Sequence, residues 1–274
     1  MGTRFLDSYD AFLVDVDGVL VRDTEPIDGA VRALDRLGEA GSVLLLTNNS
    51  ARSRAQHAER LARLGFAVRA EDVLPSSYLA AEYLRGTSGP MAVWPIGEEG
   101  LRAELVASGH RLAESPEQAD AVVVGMDRGF TYDVLIAGHR ALCGGARLIA
   151  TNEDATFPVP GGLLPGAGAM VGALRGMGFA PEAVIGKPSP IGFRIALERL
   201  DVPADRVVMI GDRLETDVLG ATAAGLDSAL VLSGVSAREE IDAAEARPTW
   251  VADDLAALVR GDTSGPHRDR NSRR

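Results

Sequence analysis

Cysteine occurs once in this chain of 274 residues, at Cys143. A single thiol excludes a disulfide framework and a cysteine zinc cluster, and it suits the reducing cytoplasm, the compartment expected here. Long apolar runs are also missing. None approaches the roughly 20 residues needed to span a bilayer, and the N-terminus lacks a basic stretch followed by an apolar one, so no signal peptide is predicted. Positive charge is in deficit, with a net charge of −11. Nucleic acid and anionic membranes are therefore not expected as partners. Lysine is scarce, nearly all the basic residues being arginine. The four histidines, His57, His110, His139 and His267, lack metal-ligand spacing and read as solvated or helix-face residues.

What is present fits a soluble-type core. The chain is 46% hydrophobic and 24% charged, which permits one or two domains without disulfides or a structural metal. Residues 261–274 hold four Arg and two Asp, leaving about −13 on the rest; this apolar-free basic tail is expected to be disordered. Apolar blocks such as AFLVD, SVLLLTN, AVVVGMD, ARLIATN, RVVMIGD and SALVLSG alternate with helix-like segments at 52–64, 131–142, 190–200 and 237–246. Continuous rather than alternating apolar strands predict parallel sheet covered on both faces, the α/β class. The stretch 86–91 reads as a linker, and 155–168 is dense in Pro and Gly. The economical division is a core formed by 1–85 and 182–260, with 86–181 as an inserted α/β domain.

In parallel sheets, ligands bind beyond the carboxyl ends of the strands. Those ends carry Asp15 and Asp17 after AFLV, Thr47-Asn48-Asn49 after SVLLL, and Asp212 after RVVMIG. Two carboxylates at i, i+2 can hold a hard cation or divide nucleophilic from acid/base work. Alone, a DxD pair equally fits a solvated turn or a metal-dependent glycosyltransferase. A hydroxyl and amides at a helix start suit a phosphate oxygen, or simply cap the helix. Lys187, held between Gly186 and Pro188, reads as a placed cation rather than surface decoration. Asp217 stands five residues beyond Asp212, and the two suit either a cation held by oxygen ligands or a helix capped by Asp212 with a solvated acid in its first turn.

Taken in order, the DVDG loop, the TNN strand end, GKPSP and GDRLETD resemble the haloacid dehalogenase (HAD) superfamily of phosphatases. The similarity is greater to the class IIA branch, NagD-like and p-nitrophenyl phosphatase-like, whose large cap lies between the second and third motifs. The resemblance implies a Rossmann-like three-layer core with an inserted cap, Mg²⁺ as cofactor, and a small phosphorylated metabolite as substrate. It implies that Asp15 attacks phosphorus while Asp17 protonates the leaving oxygen and then deprotonates water. Mg²⁺ would be held by Asp15, the backbone carbonyl of Asp17, and Asp212. Thr47, Asn48, Asn49 and Lys187 would hold phosphate oxygens, and Asp217 would orient Lys187 or water on the metal. Relatives often pair through their caps, so a homodimer is the implied assembly.

The loop Glu153-Asp154-Ala155-Thr156-Phe157-Pro158 would select the leaving group in that branch, with Glu153 and Phe157 as its substrate contacts. A junction-packing role for Phe157 is equally compatible. The vitamin B6 phosphatases carry a histidine where Phe157 stands, which argues against pyridoxal phosphate. Glycerol phosphate, phosphoglycolate, sugar phosphates and nucleotides remain. A DxD glycosyltransferase would leave Lys187 and Asp212 without roles, and a non-catalytic phospho-ligand sensor predicts losses among Asp15, Asp17, Lys187 and Asp212 that this sequence does not show. Cys143, late in a helical stretch without a histidine motif, reads as a partly buried thiol. Trp94 and Trp250 read as core or edge residues.

Overall fold

The structure, a computed structural model, describes residues 5–263 apart from Asp23 and Pro160. The basic tail read at 261–274, with His267, lies beyond Thr263 outside the described residues. The chain forms two compact units. The first gathers the residues up to Leu46, Arg63–Ala67 and those from Ala196 onward; the second gathers Thr47–Ala62 and Val68–Ile195. Parallel strands recur as the apolar blocks predict: β1 (Ala11–Val14), β2 (Ser42–Thr47), β3 (Ala92–Ile96), β4 (Arg111–Leu112), β5 (Ala121–Val124), β6 (Arg147–Ala150), β7 (Ala183–Val184), β8 (Val207–Gly211), β9 (Asp227–Val231) and β10 (Trp250–Ala252).

In the first unit the strands lie in the order β10-β9-β8-β1-β2, all parallel. β1 is buried at every position, because it is flanked on both edges; its unbroken apolar run is what such a strand requires. Val14 pairs with Leu45 on one side and Ile210 on the other. The carboxyl ends of β1, β2 and β8 therefore emerge at one edge. An aromatic group anchors the unit elsewhere: Phe5 packs edge-on against Trp250 at 5.6 Å between ring centroids. Trp250 donates its indole N–H to the Tyr9 hydroxyl, which in turn donates to Asp227. Trp250 is a core residue, as expected.

The second unit carries its own sheet, in the order β7-β6-β5-β3-β4. Helices Tyr132–Cys143 and Ala167–Arg175 bury Ala141, Leu142, Val171 and Leu174 against Ile96, Val122, Val124, Leu148 and Ala150. Burial of each such side chain contributes on the order of 1.5–3 kcal/mol. Thr131 starts the first of these helices by accepting from the Val134 N–H.

Four local expectations need correction. The segment 237–246 forms only a 3-10 turn over Arg238–Ala243; Glu239, Asp242 and Glu245 recur at i, i+3, where like charges oppose an α-helix. The linker at 86–91 begins as the last turn of helix Ser76–Ser88, and the chain breaks out only at Gly89, whose φ is +73°. His57 and His110 are buried, not solvated. His110 is a satisfied core residue, accepting from Met91 N–H at Nδ1 and bonding Ala81 carbonyl oxygen at Nε2. Cys143 is exposed rather than partly buried, one helical turn from His139. No helix among the described residues is long and apolar enough to cross a membrane.

Candidate active site

The first unit concentrates acids at the carboxyl edge of β1 and β8. Asp15 continues the ladder, its N–H donating to the Ile210 carbonyl at 2.9 Å, so its side chain is fixed by the strand and is 8% exposed. Carboxylate oxygens of Asp15, Asp212 and Asp217, all buried, lie within 4.8 Å of one another. Asp217 is turned back to this edge by a π-helical turn, Leu214–Val218. One of its oxygens accepts from the N–H groups of Asp212 and Arg213 at 3.2 and 3.0 Å. Asp17 is half-buried in the tight loop that follows, where Gly18 N–H donates to the Val21 carbonyl. Gly18 has φ +88°, and a Cβ there would collide with the Asp212 carboxylate.

Three buried carboxylates and no soft ligand form an oxygen-only donor set, which suits a hard divalent cation such as Mg²⁺. The same loops supply a wall that sequence reasoning missed. Val235 N–H donates to Asp212 Oδ2 at 2.8 Å, a Cβ at Gly234 would overlap that carboxylate, and the Ser233 hydroxyl donates to the Gly18 carbonyl at 2.7 Å. Arg22 donates to the Ser233 carbonyl. The sequence signal for it is the Ser-Gly ending of the SALVLSG block, a polar and a small residue closing an apolar strand.

The second unit places Thr47, Asn48, Asn49 and Lys187 among the carboxyl ends of its own strands. Segment 47–53 docks there through hydrogen bonds that include Gly100 N–H to the Ala51 carbonyl, Met126 N–H to the Ser50 hydroxyl, Asn152 Nδ2 to the Asn48 carbonyl, and Lys187 N–H to Asn48 Oδ1. Thr47 and Lys187 are 3% and 5% exposed. The Thr47 hydroxyl accepts from the Asn49 N–H, and Asn49 Oδ1 accepts from the Ala51 N–H, so Asn49 shapes the turn before helix Arg54–Arg63. The Asn48 amide is engaged by Lys187 and Asp154. Glu153 is exposed and paired with Arg175 at 2.6 Å, and Phe157 is half-buried in the hairpin Thr156–Val159/Gly162–Pro165, opposite Leu164.

His57, on helix Arg54–Arg63 just after this loop, is wholly buried. Burial, reinforced by the positive charges of Arg52 and Arg60, holds its pKa down at about 4, so it is neutral at ordinary pH.

An acidic nest at the end of a parallel strand in the first unit and, in the second, a lysine loop beside a Thr-Asn turn are the groups that phosphate chemistry requires. The haloacid dehalogenase-like hydrolase family matches residues 12–111, and a second HAD-like hydrolase family matches residues 184–258. The chain is 33% identical to the acid sugar phosphatase of Staphylococcus saprophyticus subsp. saprophyticus over 93% of its own length and 98% of that protein's. It is 34% identical to the 5′-nucleotidase YutF of Bacillus subtilis, over 93% and 99%. Among solved structures, p-nitrophenyl phosphatase from Archaeoglobus fulgidus superposes with a TM-score of 0.87 at 34% identity, covering 92% of this chain and 99% of that one. Glycerol phosphate phosphatase from Mycobacterium tuberculosis in complex with magnesium gives 0.87 at 38% identity, over 94% and 78%. The chain therefore belongs to the haloacid dehalogenase-like hydrolases, in the class IIA, NagD-like branch, and is a phosphoric monoester hydrolase. That membership sets aside the glycosyltransferase reading of Asp15 and Asp17.

Proposed function

We propose that this enzyme is a Mg²⁺-dependent phosphatase of small polyol or sugar phosphates, working through an aspartyl-phosphate. The observation that carries the reading is the buried group Asp15, Asp212 and Asp217, with Asp17 two residues along the chain from Asp15. Asp15 attacks phosphorus and forms a P–O bond as the ester P–O bond breaks, while Asp17 gives its proton to the departing alkoxide. Asp17 then takes a proton from water, which attacks the aspartyl-phosphate and releases inorganic phosphate and free Asp15. Thr47, the Asn48-Asn49 turn and Lys187 hold the phosphate oxygens as charge shifts. Asp15, the Asp17 carbonyl and Asp212 would hold Mg²⁺, with Asp217 ordering the loop behind them. The bound cation would supply the positive charge that lets an anionic nucleophile approach an anionic ester.

The polyol and sugar preference is supported by relatives named for acid sugar and glycerol phosphates, and by a selecting loop that carries Glu153 and Phe157. In this reading 1–85 and 182–260 act as the catalytic core and 86–181 as the cap, two copies pair through their caps, and the protein works in the cytoplasm. Its single cysteine agrees with that compartment.

Two measurements test the reading. Asp15→Asn should lower turnover of p-nitrophenyl phosphate by about four orders of magnitude or more while leaving the melting temperature in chelator no lower than the wild type's. Near wild-type turnover would remove Asp15 as nucleophile. A panel of polyol, sugar, nucleotide and glycolate phosphates compared by kcat/KM should rank polyol or sugar phosphates first. A nucleotide at the head of the ranking would overturn the substrate class and leave the chemistry standing.

A further inference from the structure

One amide in the second unit joins the selecting loop to the lysine. Asn48 Nδ2 donates to both oxygens of Asp154, at 3.2 and 3.1 Å, and to the Lys187 carbonyl at 2.9 Å. Its Oδ1 accepts from the Lys187 N–H at 2.9 Å. Both amide hydrogens and the carbonyl oxygen are thus in use, and the pattern fixes the amide's orientation: only Oδ1 can accept from Lys187, and only Nδ2 can donate to a carboxylate. Asp154 is itself held, because its N–H donates to Asn152 Oδ1 at 3.1 Å while Asn152 Nδ2 donates to the Asn48 carbonyl at 2.7 Å. Ser76 donates to that same carbonyl. Gly186 leaves just enough room, since a Cβ there would overlap Asn48 Oδ1 and the Thr151 carbonyl. Asn48 therefore grips the Lys187 peptide from both sides, and a carboxylate from the loop ahead of the Thr156–Val159 strand grips Asn48.

We propose that Asp154 is a positioning residue for Lys187, acting through Asn48. The loop that contacts the leaving group and the cation that holds the phosphate are then set by one hydrogen-bonded unit. Moving the loop moves the lysine, so a leaving group that seats Asp154 correctly also places Lys187 for the phosphate. This inference rests on the assignment of Lys187 as a phosphate-holding cation, made above.

Lys187 is the chain's only lysine. Protein grown on lysine enriched in carbon-13 at Cε consequently gives one lysine side-chain resonance, a direct reporter of this residue. In the Mg²⁺-loaded wild type, inorganic phosphate should shift that resonance. Asp154→Ala should move the resonance and its pH titration, and should raise both KM for p-nitrophenyl phosphate and Ki for inorganic phosphate by about tenfold, the worth of one charge-assisted hydrogen bond. Asp154→Asn, which keeps an acceptor oxygen toward Asn48, should recover most of the loss. On an Asn48→Ala background, Asp154→Ala should have no further effect, as a relay requires.

A lysine resonance and phosphate affinity unchanged in Asp154→Ala would overturn the proposal. So would fully additive losses in the double variant. If Asp154→Ala proves unfolded, the comparison of Asp154→Asn with Asp154→Ser makes the same decision, because serine cannot reach Asn48. A wild-type resonance indifferent to phosphate would instead remove Lys187 from the phosphate site, and the proposal with it.

Discussion

Single atoms decide the acidic nest. Asp212 has its carboxylate walled by two glycines, Gly18 and Gly234, and tied by the Val235 N–H. Neither glycine can gain a methyl group without displacing that carboxylate, and Gly18 would add left-handed backbone strain. Gly18→Ala and Gly234→Ala are expected to lower kcat by about a hundredfold, the scale at which a displacement of an ångström acts. Both should also raise the Mg²⁺ concentration needed for half-maximal rate. Gly38→Ala is the contrast, since nothing lies within 4 Å of its added Cβ on helix Ala30–Ala40. It should stabilise the fold by about 0.5–1 kcal/mol with kinetics unchanged. Magnesium titration of the rate and thermal melting of the three variants check the set. A Gly234→Ala enzyme with normal Mg²⁺ dependence would separate the Ser233–Val235 loop from the metal.

Elements were legible where their pattern was long and unbroken. β1, β2, β5, β6, β8 and β9 coincide with the apolar blocks, because a strand buried on both faces leaves no other pattern to write. The acids at their carboxyl ends were legible for the same reason: a charge closing such a run must face something. What could not be read was pairing at a distance. The side-chain amide of Asn48 bonds Asp154 and Lys187, 106 and 139 positions away, and neither partner could be read from its neighbours in sequence. His57 looked like a helix-face residue because its burial depends on what packs over helix Arg54–Arg63, not on its neighbours in sequence.

That histidine makes helix Arg54–Arg63 acid-sensitive. Its folded pKa of about 4 lies below the ordinary 6.5, so the unfolded state binds the extra proton as pH falls. The stabilising effect of a neutral His57 is complete above the unfolded value and is lost on descending toward the folded one. Between about pH 7 and about pH 5 the loss is roughly 2 kcal/mol. His57→Leu should flatten this part of the stability profile, as read by urea unfolding at the two pH values. Equal pH slopes for variant and wild type would assign the sensitivity to other groups.

For the whole molecule, negative charge is the governing quantity. The chain carries −11 overall, and three carboxylates are packed within 4.8 Å of one another inside the first unit. Like charges so close raise the free energy of the folded state until a cation is among them. Metal binding and folding are therefore linked, and a ligand held at a hundred times its Kd adds about 2.7 kcal/mol. Saturating Mg²⁺ should raise the melting temperature by about 5–10 °C over protein in chelator, the conversion usual for a chain of this size. Asp212→Asn separates the two effects. Its amide oxygen can still accept from the Val235 N–H, while one of the three negative charges is gone. In chelator, this variant should melt at or above the wild type, yet gain nothing from Mg²⁺ and hydrolyse nothing. A variant that kept the full Mg²⁺ response would remove Asp212 from the metal's ligands. One that melted far below chelated wild type would show that the local bonds of the carboxylate, rather than its repulsion, dominate the fold.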